Sequence, residues 1–82
     1  MTYEFTTHAD RQLQKLPIDV QRRIVEKIKF YLATEQPLHF ADSIKGSQGK
    51  AYRYRIGGYR VIFDWLGDCI RITKVDLRPR VY

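Results

Sequence analysis

The chain has 82 residues, which is enough for one small domain with a thin apolar core. Lys and Arg number 15 against 9 Asp and Glu, and the resulting net charge of +6 favours polyanionic partners such as nucleic acid. The lone Cys69 excludes an internal disulfide framework, and no apolar run approaches the roughly 20 residues of a membrane span. With no signal-peptide pattern at the N-terminus and no metal-ligand cluster, these features predict a cytoplasmic protein with no membrane contact and no cofactor.

The first half of the chain predicts a strand followed by two helices. Residues 2–6 are typical of a short strand, and Thr7 is suited to cap the helix that follows. Pro17 interrupts the helical pattern and suits the start of a second helix. Apolar residues recur at helical spacing in both segments: Ala9, Leu13 and Leu16 in the first, and Val20, Ile24, Ile28, Tyr31 and Leu32 in the second.

The second half predicts a loop and then three strands joined by tight turns. Residues 37–50 contain proline and glycine and are predicted to form the loop. Glycine-containing turns at 57–58 and 67–68 predict two hairpins, the second leading into a strand over 69–75. We therefore predict an α+β fold over residues 1–82, a single domain in the order β-α-α-β-β-β. Its two N-terminal helices pack on a small, mostly antiparallel four-stranded sheet.

The stretch YRYRIGGYRVIFDW, residues 52–65, predicts an arginine cluster on one face of the first hairpin. With a two-residue turn, directly opposed residues share a face, so Arg53, Arg55 and Arg60 lie opposite the tyrosines and apolar side chains. Arg55 directly faces Arg60, which destabilises a sheet by something under about 1 kcal/mol. A bound anion is the simplest compensation, and the planar guanidinium suits phosphate. The alternative is a solvated edge on which the arginines serve solubility.

Lys74 conflicts with strict alternation along the last strand. A regular pleat places its side chain on the core side, together with Ile70 and Ile72. Either the long side chain reaches solvent from the end of the strand, or a bulge shifts the register by one residue. The sequence alone leaves both alternatives open.

The C-terminal stretch KVDLRPRVY adds further candidates for nucleic-acid contact. If the tail leaves the sheet beside the first hairpin, Arg78 and the ring of Tyr82 reach the same face as the arginine cluster. The arginine would then hold a phosphate and the ring would stack on a base. Arg80 is a further candidate contact. Lys45 and Lys50, which flank a glycine-containing turn, either reach the RNA backbone or are simply solvated.

Three stretches, in this order and spacing, resemble the RelE/ParE superfamily, the toxins of bacterial and archaeal toxin–antitoxin pairs. They are YEFTTHADRQLQKLPIDVQRRIVEKI, KGSQGKAYRYRIGGYRVIF and KVDLRPRVY, and together they cover nearly the whole chain. The second is similar to the family pattern L-K-G…Y-R-I-R-x-G-x-Y-R-V-I-Y. The total length also agrees. Each stretch alone is loose, whereas all of them in order are specific to the superfamily.

The resemblance implies the toxin of a type II pair, an endonuclease that cuts mRNA in the ribosomal A site. In the RelE branch the ribose 2′-OH attacks the adjacent phosphate, and basic residues stabilise the charged phosphorane. The matching positions imply the following catalytic residues: Arg55, Arg60, Arg78 and Tyr82. The expected RNA-binding residues are Arg53, Lys45, Lys50 and Arg80.

Departures from the family pattern leave the general base unassigned. Both paired positions on the first hairpin strand are arginine, which does not deprotonate. Leu77 and Arg80 stand where the family often has histidine and aspartate. The candidate bases are His39, Asp76 and the terminal carboxylate of Tyr82. Catalysis could otherwise rest on positioning and electrostatic stabilisation alone.

Two other functions stay open at this point. One is ParE-like inhibition of DNA gyrase, and the other is a non-catalytic binding protein with the same fold. All three imply a cognate antitoxin with an acidic toxin-binding segment, which forms a hetero-oligomer with the toxin. The endonuclease additionally implies the ribosome and mRNA as partners.

Overall fold

The computed structural model describes residues 1–46, 48 and 50–77, and these form an α+β fold. One strand precedes the helices, and the remaining strands follow them one after another. The elements in chain order are β1 (Thr2–Phe5), α1 (Thr7–Gln14), α2 (Ile18–Ala33), a 3₁₀ helix (Pro37–Phe40), β2 (Ala41–Ser43), β3 (Ala51–Ile56), β4 (Tyr59–Trp65) and β5 (Cys69–Leu77).

The sheet has five strands in the order β1-β5-β4-β3-β2. β1 and β5 pair in parallel, and the other three pairs of neighbouring strands are antiparallel. The predicted α+β class and antiparallel majority are confirmed, whereas the predicted count of four strands is wrong. The additional strand, β2, lies inside the predicted loop and pairs with β3, with Ala41 opposite Tyr54. Its sequence ADS has no alternating apolar pattern, so pairing with β3 rather than intrinsic preference creates the strand.

The two helices begin at residues that satisfy their first backbone groups. Thr6, not the predicted Thr7, caps α1, because its Oγ1 accepts a hydrogen bond from the Ala9 N–H at 3.1 Å. Pro17 precedes α2, as predicted. No helix in the described ranges is long and apolar enough to cross a membrane. The predicted apolar stripes are confirmed by the buried positions Ala9, Leu13, Ile24, Ile28, Tyr31 and Leu32.

The core lies between these helices and one face of the sheet. Tyr54 is completely buried at its centre, with ring centroids 4.6 Å from those of Tyr31 and Phe63. Its hydroxyl donates to the Pro37 carbonyl oxygen at 3.0 Å. Burial and the neighbouring Tyr31 raise the pKa of Tyr54 to about 12, so the hydroxyl stays protonated. The sheet contributes the buried residues Tyr54, Ile56, Val61, Phe63, Ile70, Ile72 and Val75.

A bulge at Thr73 determines which face Lys74 occupies. The register of β4 with β5 shifts so that Ile62 pairs with Lys74 while Phe63 pairs with Ile72, which leaves Thr73 as the additional residue. Lys74 is therefore exposed, whereas Ile72 before the bulge and Val75 after it are both buried. The bulge alternative is thus confirmed. The strand also continues to Leu77, past its predicted end.

Candidate functional site

The sheet face that points away from the helices, here called the outer face, carries rows of charged side chains across the strands. The first row confirms the predicted register, because Arg55 lies directly opposite Arg60. Arg60 is flanked on its other side by Asp76 of β5. Its Nε and Nη2 donate to the two carboxylate oxygens of Asp76, each at 3.1 Å, and the two side chains are 25% and 23% exposed. This bidentate, largely shielded pair fixes the plane of the Arg60 guanidinium.

The second row, on β2 and β3, places Asp42 beside Arg53 and close to Arg55 of the first row. Asp42 of β2 lies opposite Arg53, and its Oδ2 is 3.1 Å from Arg55 Nε and 3.7 Å from Arg53 Nη2. Asp42 and Arg55 are both 51% exposed, so their ion pair contributes little to stability. Arg53 Nε is buried and has no hydrogen-bond acceptor in the described part of the chain. The row thus holds a buried cationic donor whose hydrogen bond is not made within the described residues.

The third row has the opposite charge balance. Arg71 of β5 lies between Asp64 of β4 and Glu4 of β1, and its Nε is 3.1 Å from Glu4 Oε1. Carboxylates therefore outnumber cations in this row, and cations outnumber carboxylates in the other two. The positive half of the outer face lies towards the 57–58 turn and holds Arg53, Arg55, Arg60 and Lys74 against Asp42 and Asp76.

The opposed arginines have a source of compensation that the sequence did not indicate. Asp42 and Asp76 supply negative charge to the Arg55–Arg60 pair from within the protein, and the bound anion that the sequence suggested stays a prediction. Sequence reasoning missed Asp42 because it lies in a strand that was predicted as loop. It considered Asp76 only as a base, because β5 was predicted to end before it. An antiparallel register extended past the second hairpin, with one bulge, would have placed Asp76 beside Arg60.

Asp76 is the charge partner of Arg60, and its pKa makes it a poor general base. Burial raises the pKa of this carboxyl, but the hydrogen bonds and charges of Arg60 and Lys74 together outweigh that effect. Lys74, whose Nζ is 3.4 Å from Oδ2, acts in the same direction. The net result is a pKa below the usual value of aspartate. Such a carboxylate is ionised at neutral pH and binds a proton weakly.

The other predicted residues are less closely placed. His39 is exposed in the 3₁₀ helix, with its ring edge-on to that of Phe40 at 5.3 Å between centroids. Phe40 in turn stacks on Tyr31 of α2, on the helix side of the molecule. Lys45 and Lys50 are exposed at the two ends of the connection between β2 and β3. Within residues 1–46, 48 and 50–77, no group of His, Cys, Asp or Glu side chains could hold a metal ion. The predicted residues Arg78, Arg80 and Tyr82 lie outside the described residues.

Comparisons with known proteins place this architecture in a family. No protein-family model and no curated protein matches the chain. Among solved structures, a chain of the RelBE2 toxin–antitoxin complex from Mycobacterium tuberculosis is 30% identical, with a TM-score of 0.81 and coverage of 94% of this chain and 96% of that one. A chain of the archaeal RelE–RelB complex from Pyrococcus horikoshii is 31% identical, with a TM-score of 0.73 and coverage of 98% and 97%.

A third structure shares the fold at lower identity. The isolated RelE toxin of Escherichia coli is 17% identical with a TM-score of 0.78, over 98% of this chain and 86% of that one. At that identity the likeness shows the fold alone. The two relatives at 30% and 31% identity are matched over nearly their whole length, and this likeness shows the family as well as the fold. The chain belongs to the RelE-like branch of the RelE/ParE toxin superfamily.

Proposed function

We propose that this single-domain protein is the toxin of a type II toxin–antitoxin system and cuts mRNA in the ribosomal A site, in the cytoplasm. In this reaction a ribose 2′-OH attacks the adjacent phosphate. The new P–O2′ bond gives a 2′,3′-cyclic phosphate, and the P–O5′ bond breaks, so that the next nucleotide leaves with a 5′-OH that has taken up a proton. The observation that supports it best is the positive half of the outer face. There Arg60 is held rigidly, while Arg55 is half exposed and the buried Nε of Arg53 has no acceptor in the part of the chain that the structure describes.

Each member of the arginine cluster has a distinct proposed role. Asp76 accepts from Nε and from one N–H of Nη2 of Arg60. The remaining N–H groups of this fixed guanidinium have no acceptor among the described residues, and we propose that they donate to a phosphate oxygen. Arg55, at the exposed end of the same row, and Arg53, two residues before it on β3, together bind the phosphate that is attacked. Preorganised donors of this kind stabilise the extra charge of the phosphorane and do not need to reorganise during the reaction.

The tail residues complete the proposed site. Leu77, the last paired residue of β5, lies opposite Tyr59 beside the first hairpin turn, at the same end of the sheet as Arg60. This position supports roles for the next residue, Arg78, in phosphate binding and for Tyr82 in stacking on or orienting the RNA. Arg80 is a further proposed contact. Because arginine does not accept a proton, the proton of the 2′-OH must pass to another group.

The course of the RNA backbone follows from the position of the remaining cations. Arg55 and Arg53 lie on β3 and Lys50 directly precedes that strand, so about 17 Å of extended chain separates Arg55 from Lys50. A single strand that runs along β3 would therefore pass the arginines at one end of the sheet and reach Lys50 at the other. Lys45 lies in the same connection and is proposed to contact the same strand.

A cognate antitoxin is the second proposed partner. The solved chains from Mycobacterium tuberculosis and Pyrococcus horikoshii come from complexes of toxin and antitoxin. The positive half of the outer face suits a small antitoxin with an acidic segment that binds there. The two proteins would form a hetero-oligomer in which the antitoxin neutralises the arginines that otherwise hold RNA.

The test is in vitro translation of a defined mRNA with the purified protein, followed by primer extension to map new 5′ ends. We expect new ends at A-site codons, none without ribosomes, and a loss of about 100- to 1,000-fold in cleavage rate for Arg60→Ala. Arg71→Ala is the matched control, because it removes one paired arginine from the same face but from the third row. It should leave cleavage nearly unchanged.

Two results would contradict the proposal. If Arg60→Ala folds and cuts as fast as the wild type, the proposed site is wrong. If the wild type leaves both mRNA and translation intact, the endonuclease function itself is wrong. Inhibition of gyrase supercoiling would then favour the ParE-like alternative, and inactivity in both assays would favour a binding protein.

A further inference from the structure

A single carboxylate oxygen lies between the two arginines of β3. Oδ2 of Asp42 is the atom within 4 Å of both Arg55 Nε and Arg53 Nη2, at 3.1 and 3.7 Å. An anionic oxygen in this position contacts both guanidinium groups, as an oxygen of a phosphate would. It satisfies them incompletely, because the longer distance is beyond good hydrogen-bond range and Arg53 Nε has no acceptor among the described residues.

The two carboxylates of the outer face differ in how firmly they are held. Asp76 lies on β5, between two neighbouring strands, and makes two hydrogen bonds to Arg60 in a shielded position. Asp42 lies on an edge strand of only three residues, makes a single short contact and is half exposed. Release of Asp42 from its arginines therefore costs little, whereas release of Asp76 breaks a bidentate pair.

We propose that Asp42 is an internal stand-in for a substrate phosphate: it occupies the anion position between Arg53 and Arg55 and is displaced when a phosphate binds. This inference rests on the proposed function only for the identity of that phosphate as part of an RNA strand. The exchange has two consequences. In the free protein Asp42 offsets one of the two positive charges of Arg53 and Arg55, and it weakens phosphate binding because the incoming group must compete with it.

The competition predicts that removal of the carboxylate strengthens phosphate binding. In Asp42→Asn the side chain keeps its size and loses its charge, so pyrophosphate should bind about 2- to 5-fold more tightly than to the wild type. The largest shifts of arginine Nε–Hε NMR resonances should fall on Arg53 and Arg55. If the asparagine variant does not fold, Asp42→Ser makes the same test.

Glu4→Gln is the matched control. It removes the same charge from an exposed ion pair of the same length on the same face, with side chains 48% and 55% exposed. Glu4 lies on β1, separated from Arg55 on β3 by three strand spacings, or about 14 Å. That distance exceeds the Debye length of about 10 Å at 0.1 M salt, so this variant should bind pyrophosphate as the wild type does.

The outcomes separate this inference from the proposed function. Equal pyrophosphate affinity in Asp42→Asn, Glu4→Gln and the wild type would overturn the inference, even if the wild type cuts mRNA on ribosomes. A selective gain in Asp42→Asn supports it, even if no mRNA is cut. A gain of equal size in both variants would also overturn it, because the effect would then reflect net charge alone.

Discussion

Asp76→Asn is the substitution that most directly tests the role of the Arg60–Asp76 pair. Asparagine keeps the shape of the side chain but loses the charge and at least one of the two acceptors used by Arg60. The guanidinium then stays three-quarters shielded without its counter-ion. We expect lower stability, and also slower mRNA cleavage, because Arg60 no longer has a fixed orientation.

The expected size follows from how far the pair is shielded. Exposed pairs contribute about 0 to 1 kcal/mol, and breaking a fully buried pair costs about 3 to 5 kcal/mol. With side chains 25% and 23% exposed, we expect a loss of about 2 kcal/mol. A domain of this size has about 4 to 12 kcal/mol of stability in total. The loss should lower Tm by about 8 to 16 °C.

The assay is thermal unfolding at several pH values, with Glu4→Gln as the control for loss of an exposed carboxylate. The pKa of Asp76 is lowered in the folded protein, so its contribution is complete above the unfolded pKa, near 4, and is lost as the pH falls through the folded pKa. The difference between wild type and Asp76→Asn should therefore be constant near neutrality and shrink in acid. A Tm within about 2 °C of the wild type, or equal to that of Glu4→Gln, would refute the reasoning.

Two further predictions concern the scaffold. Thr6→Ala removes the cap of α1 and should cost about 1 kcal/mol in chemical denaturation, whereas Thr7→Ala should cost little; equal effects would contradict the assignment of the cap. Tyr54→Phe leaves the Pro37 carbonyl oxygen without its donor and should cost about 1 to 3 kcal/mol at neutral pH. Because the pKa of Tyr54 is raised to about 12, the wild type should lose stability as the pH rises from about 10 to 12. The phenylalanine variant should lack this component, and an unchanged alkaline profile would contradict it.

The register of the first hairpin could be predicted because local chemistry determines it. Two glycines define a two-residue turn, and the turn alone places Arg55 opposite Arg60 and sends the apolar side chains to the core. The helices were predictable for a similar reason, since their apolar spacing repeats over several turns. Where the sequence states a period or a turn type, structure follows from neighbours along the chain.

The neutralising carboxylates were harder to predict because non-local contacts decide their positions. Asp42 belongs to a three-residue strand that exists through pairing with β3, and nothing in its own sequence is typical of a strand. Asp76 reaches Arg60 only after the bulge at Thr73 has shifted the register of β5. The predicted roles of Arg78, Arg80 and Tyr82, which lie outside the described residues, stay predictions.

The parallel pairing of β1 with β5 sets the order in which the molecule can be assembled. β5, the last described strand to be synthesised, lies inside the sheet between β1, the first, and β4. The Glu4–Arg71 pair, which joins β1 to β5, links residues 67 positions apart. Contacts of such long range are slow to form. While a nascent chain still lacks β5, β1 has no partner in the sheet and Arg60 lacks Asp76. The fixed guanidinium therefore exists only once synthesis has passed β5, so a partly made chain cannot present this site to the ribosome that is making it.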